Sequence, residues 1–98
     1  MKKVLVNFNK VFESHVRLGI MSVLTVNKTM DFTGLRDVLS VTDGNLASHL
    51  RALEEAGYII TEKSFINRKP NTKYTITSEG LESFMSHIRA LEELISKQ

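Results

Sequence analysis

Ninety-eight residues suffice for one domain, too few for most multidomain enzymes. The composition is that of an ordinary globule, 42% hydrophobic and 24% charged with one proline and five glycines, which excludes collagenous, low-complexity and disordered chains. Thirteen Lys and Arg against eleven Asp and Glu leave +2, and the absence of cysteine excludes disulfides, thiolate metal sites and cysteine nucleophiles.

Residues 1–98 are expected to form a single domain, with an N-terminal helix over 2–12, a core over 14–77 and a long last helix over 78–97. In the first segment Val4, Leu5, Phe8, Val11 and Phe12 share one helical stripe. Ser14 is placed to cap a second helix, in which Val16, Ile20, Val23 and Leu24 share a face and Asn27 closes the run. Thr29 to Phe32 alternates and predicts a strand stub. Leu35, Val38 and Leu39 predict a helix of about two turns. After the turn Val41–Gly44, with Thr42 or Asp43 as cap, Leu46, Leu50 and Leu53 mark another helix, which ends at Ala56-Gly57.

The period then changes from helical to two. Tyr58–Phe65 and Lys73–Thr77 predict two strands, and Asn67–Thr72 a basic loop between them. Thr77 or Ser78 caps the last helix. There Leu81, Phe84, Ile88, Leu91 and Ile95 are spaced 3, 4, 3, 4, a heptad seam. A helix from Ser78 to Lys97 is roughly 30 Å long at about 1.5 Å per residue. It either folds back on its own domain or packs against a second copy, since a small core invites association. On the second expectation the interface holds Val4, Phe8 and Phe12 with Leu81, Phe84, Ile88, Leu91 and Ile95.

Helix, strand stub, helix, tight turn, helix and basic hairpin, in that order, is the organisation of a winged helix-turn-helix, an α+β fold that is mostly helical. The residues resemble that family directly. Asp31–Leu39 resembles its second helix, Thr42–Tyr58 its recognition helix and exit turn, and Arg68–Tyr74 its wing. Ile76-Thr77-Ser78-Glu79-Gly80 is similar to the Leu-Thr-x-x-Gly start of its following helix, with isoleucine for leucine. The resemblance covers roughly residues 14–85 and is nearest to the stand-alone regulators related to the MarR and ArsR families. It implies a transcriptional regulator that binds double-stranded DNA.

A recognition helix needs an apolar face to seat it and a small or polar face to enter the major groove. At about 100° per residue Leu46, Leu50 and Leu53 cluster on one side. Gly44, Ser48, Arg51, Ala52 and Glu55 lie opposite, with Asn45 and His49 on a flank. Asn45 is suited to adenine and Arg51 to guanine or phosphate. His49 fits DNA contact or the core edge equally. In the wing Arg68, Lys69 and Lys73 are suited to phosphates or the minor groove. The modest net charge conceals this asymmetry. The wing segment holds four cations against Glu62 alone, whereas the last helix holds Glu79, Glu82, Glu92 and Glu93 against Arg89 and Lys97.

Other functions find little support. His15, His49 and His87 have no carboxylate or second histidine at a strong ligand spacing, so no metal and no cofactor are expected. No Ser-His-Asp order, phosphate loop or carboxylate pair suggests an enzyme. The apolar start is interrupted by Asn7 and Asn9 short of a signal-peptide core, and no stretch reaches the ~20 residues of a membrane span. The expected location is cytoplasmic, and no small-molecule effector can be named. The rival expectation is a winged helix that binds another protein and not DNA, consistent with the phosphate-repelling Glu54 and Glu55.

Overall fold

The computed structural model describes residues 8–96. Helix α1 spans His15–Asn27, strand β1 Thr29–Asp31, helix α2 Phe32–Leu39 and helix α3 Asp43–Glu55. Strands β2 (Ile59–Ile66) and β3 (Lys69–Ile76) form a hairpin, and helix α4 covers Ser78–Ser96. The sheet is antiparallel with order β1-β3-β2.

Each of these helices starts where a side chain satisfies an otherwise unpaired backbone donor. Ser14 Oγ accepts from Arg17 N–H, Asp31 Oδ1 from Gly34 N–H, Thr42 Oγ1 from Asn45 N–H and Thr77 Oγ1 from Gly80 N–H. Thr42 and Thr77, and not Asp43 or Ser78, are therefore the caps of α3 and α4. Phe32, expected at the end of the strand stub, opens α2 instead. The chain leaves α3 through Gly57 at φ 80°, a conformation glycine adopts without steric penalty.

The core is formed by Val16, Ile20, Met21 and Leu24 of α1, Leu35 of α2, Leu46, Leu50 and Leu53 of α3, Ile59 and Tyr74 of the sheet, and Phe12 and Phe84. Two sequence expectations change here. The segment expected to be a helix over 2–12 is not α-helical where it is described. Phe8 and Asn9 are irregular, and Lys10–Glu13 form a single 3-10 turn capped by Asn9; Val4 lies outside the described residues. Asn9 fixes that turn across the domain. Its backbone N–H donates to His87 Nδ1 (3.2 Å) and its side-chain amide to the Tyr58 hydroxyl (2.8 Å).

The other change concerns the expected seam. Phe12 and Phe84 are only 2% and 6% exposed and meet edge to face at 5.8 Å, so they belong to the chain's own core and cannot face a second copy. The Phe8 ring also turns inward, 5.3 Å from that of His87. Gly80, Phe84, His87 and Ala90 are the buried face of α4. Gly80 is required by packing. A Cβ there would lie 2.2 Å from Tyr58 O, the carbonyl that also accepts from Thr77 N–H. The Thr77-x-x-Gly80 sequence thus caps α4 and lets its first turn lie on the exit from α3.

Candidate nucleic-acid interface

Helix α3 is seated by Leu46, Leu50 and Leu53, which leaves Gly44, Asn45, Ser48 and Arg51 exposed and Ala52 and His49 half-buried. A Cβ at Gly44 would meet nothing within 4 Å. No packing within the described chain calls for that glycine, although glycine disfavours a helix. It leaves the first turn of α3 low enough for another body to approach closely.

The two flanks of α3 differ. On one side His49 lies near Arg17 and His15 of α1. Partial burial, then the charges of Arg17 and His15, lower its pKa and favour the neutral ring. Arg17 Nε is buried there without a hydrogen-bond partner among the described residues. On the other side α3 and the wing enclose an open cleft of about 210 Å³, lined by Ala47, Leu50, Arg51, Glu54, Thr61, Lys63 and Tyr74. Burial, reinforced by Glu54, raises the Tyr74 pKa and keeps its phenol protonated. Two cations, the Glu54 carboxylate and the hydroxyls of Thr61 and Tyr74 thus line the cleft. At the start of α3 Arg36 Nη1 bonds Asp43 at 3.1 Å and tempers the acidic charge nearest the reading face.

The wing is longer and tighter than expected. Ile66 pairs with Lys69, so the expected six-residue loop is a two-residue turn, Asn67-Arg68, and Lys69–Thr72 is strand. Both turn residues have positive φ, 51° and 66°, as in a type I′ turn. Pro70 is tolerated because β1 pairs with β3 only from Lys73 to Thr75, leaving an open edge beside Pro70.

Register sorts the wing cations. Side chains alternate across a strand, and Thr61 and Tyr74 line the cleft with Lys63. Lys73 therefore projects from the opposite face, in register with Glu62 of β2 and Asp31 of β1. Of the expected wing contacts, Arg68 stands at the tip, Lys69 lies next to it on the same face of β3 as Lys73, and Lys73, farther from the tip, is turned away from the recognition helix. Sequence reasoning missed Lys63. Its signal was the alternation Ile59, Thr61, Lys63 from a buried first residue.

The winged helix DNA-binding domain family matches residues 16–95, most of the chain. The chain belongs to this family. The winged helix is 38% identical over 85 residues to an uncharacterized protein of Methanocaldococcus jannaschii, covering 87% of this chain and 92% of that one. It is 34% identical to a transcriptional regulator homologue of Pyrococcus horikoshii OT3, with a TM-score of 0.79, covering 90% of this chain and 92% of that one. An ArsR family transcriptional regulator at 16% identity shares the fold, with a TM-score of 0.64 over 100% of this chain and 96% of the other. The kinship shown is thus that of the winged helix DNA-binding domain, and the likeness to the ArsR family regulator is one of fold. No group of three or more His, Cys, Asp or Glu among the described residues is placed to hold a metal ion, and none of their helices is long and apolar enough to cross a membrane.

Proposed function

We propose that the protein binds duplex DNA sequence-specifically as a homodimer, with α3 in the major groove and the wing along the backbone and minor groove. The observation that carries this is the exposed face of α3, small at Gly44 and polar at Asn45, Ser48 and Arg51, beside a wing bearing Lys63, Arg68 and Lys69. Asn45 reads a base edge, Ser48 a base or phosphate, and Arg51 guanine or a phosphate in the cleft. Ala52 keeps the helix close, and His49 stands at the margin of the contact.

The homodimer rests on α4. Outside its buried face, Leu81, Met85 and Ile95 remain exposed, and Ile88 lies between them only partly covered. Leu91 is also half-buried. Pairing this edge with that of a second copy removes an apolar stripe from water. A two-fold axis then presents two recognition helices to major grooves about 34 Å apart, on a pseudo-palindromic site.

Selection of bound sequences from a random duplex pool tests the first part. A pseudo-palindrome is expected. Asn45→Ala should change the preferred sequence, and Arg68→Ala should weaken all sequences alike. Failure of the wild-type chain to bind any duplex at low salt would sink the proposal. Sedimentation tests the second part, with Leu81→Glu plus Ile95→Glu expected to give monomers and a concentration-independent wild-type monomer refuting it.

A further inference from the structure

The wing has a feature that phosphate binding does not use. Phe65 is 75% exposed and Ile66 49% exposed, one residue apart at the end of β2 and hence on opposite faces of the hairpin. Phe65 follows the alternation through Thr61 and Lys63, so it lies on the face that carries the cleft beside the recognition helix. Pro70 is its partner in register. The end of the hairpin is therefore apolar on both sides, although no core packing holds it there.

The surroundings of this patch select its occupant. Lys63, Arg68 and Lys69 flank it, and no carboxylate occurs from Lys63 to Thr72. An apolar tip within a purely cationic collar suits a surface of anionic rim and apolar floor. The minor groove of DNA is such a surface, with phosphates along its edges and deoxyribose and base edges within. The two-residue turn brings Phe65, Arg68, Lys69 and Pro70 together at the very end of the hairpin. Apolar side chains inserted between base steps in this groove unstack them and kink the duplex.

We propose that the wing tip is an apolar wedge, with Phe65 seated in the minor groove beside the site that α3 reads, braced by Pro70 and flanked by Arg68 and Lys69 on the phosphates. This rests on the DNA binding proposed above. The wedge adds a preference for easily unstacked pyrimidine–purine steps under the wing, at positions α3 never touches.

The test uses the full chain and the duplex selected with it, carrying 2-aminopurine at the step under the wing. Phe65→Ala is expected to weaken binding about tenfold, within the range for aromatic contacts to nucleic acid. The slope of log K against log salt should stay unchanged, because no phosphate contact is lost. Wild-type binding should raise 2-aminopurine fluorescence, and the variant should not. Phe65→Lys separates a wedge from charge alone. A wing that holds DNA only by charge would bind tighter with the added cation, whereas a wedge binds more weakly. Phe65 is outside the core, so both variants should keep the wild-type melting temperature. Wild-type affinity in Phe65→Ala, or tighter binding by Phe65→Lys, overturns the wedge and leaves DNA binding standing. Loss of all duplex binding by the wild type overturns both.

Discussion

The turn at the wing tip allows function to be separated from folding in a single substitution. Arg68 occupies a left-handed position at φ 66°, which disfavours an L side chain by about 1 kcal/mol or more and glycine hardly at all. Arg68→Gly relieves that strain, and the greater freedom of glycine in the unfolded chain takes back several tenths of a kcal/mol. The net expectation is a wing at least as stable as the wild type, and a melting temperature unchanged or raised by a few degrees, at about 4–8 °C per kcal/mol for a domain of this size. DNA binding should move the other way. Removing one phosphate-directed cation lowers the slope of log K against log salt by about 0.9. Between 50 and 200 mM salt the wild-type advantage should then shrink by about 3.5-fold, the fourfold salt ratio raised to that slope. Anisotropy titrations at several salt concentrations, beside a thermal melt, measure both quantities. A variant that melts no lower and binds with wild-type affinity and slope would refute a role for Arg68 in DNA contact. A variant that melts markedly lower would refute the strain in the turn.

Three further outcomes follow from the same geometry. Gly80→Ala drives a Cβ to 2.2 Å from Tyr58 O; overpacking of about 1–3 kcal/mol plus a weakened Thr77–Tyr58 hydrogen bond of about 1 kcal/mol, less about 1 kcal/mol of gained helix propensity, should lower stability by about 1–3 kcal/mol in urea unfolding, and wild-type stability would contradict the packing described. Lys63→Ala should weaken DNA binding and reduce its salt slope while Lys73→Ala changes neither, and the reverse pattern in titrations would contradict the register of the wing. His87 is 4% exposed with Nδ1 accepting from Asn9 N–H, and burial, partly offset by Glu13, holds its pKa below the ordinary value. Above pH about 6.5 both folded and unfolded rings are neutral. As pH falls below that value the unfolded chain takes up a proton first, so this contribution to stability is lost as pH falls through the lowered folded pKa, by at most about 1.4 kcal/mol per pH unit. Urea unfolding between pH 7.5 and 5 should show this loss, and His87→Gln should reduce it, leaving the share due to His49, whose pKa is also lowered.

The sequence made visible what local chemistry decides. Ser14 could be recognised as a cap, and Thr42 and Thr77 each as one of two candidates, because a hydroxyl beside a periodic apolar run has one common use. Leu46, Leu50 and Leu53 fixed which face of α3 is buried and therefore which residues remain for DNA. The wing was harder because its length depends on pairing between strands and on its turn. The turn is Asn-Arg and lacks the glycine that normally announces a type I′ hairpin. A loop drawn from Asn67 to Thr72 is too long by four residues and leaves Lys73 beside the tip, and only the register shows that Lys63 and Lys73 project from opposite faces.

Helix α4 shows a different limit. Periodicity identifies residues that share a stripe but not what covers them. At about 100° per residue, Gly80, Phe84, His87 and Ala90 centre on one direction, and Leu81, Met85, Ile88 and Ile95 on another about 100° away. A seam drawn through Leu81, Phe84, Ile88, Leu91 and Ile95 straddles the two. The informative feature was the breadth of the apolar arc, which Met85 and Leu94 extend beyond a single core-facing stripe. That breadth exceeds what the described body covers, since Ile95 is 81% exposed while Ala90, five residues earlier, is buried. A polar residue sits within the buried arc because His87 has an acceptor nitrogen to offer Asn9 and two aromatic rings, Phe8 and Phe12, each 5.3 Å from its own. One face of α4 thus holds the N-terminal turn to the domain, and the adjacent edge is left uncovered by the described residues.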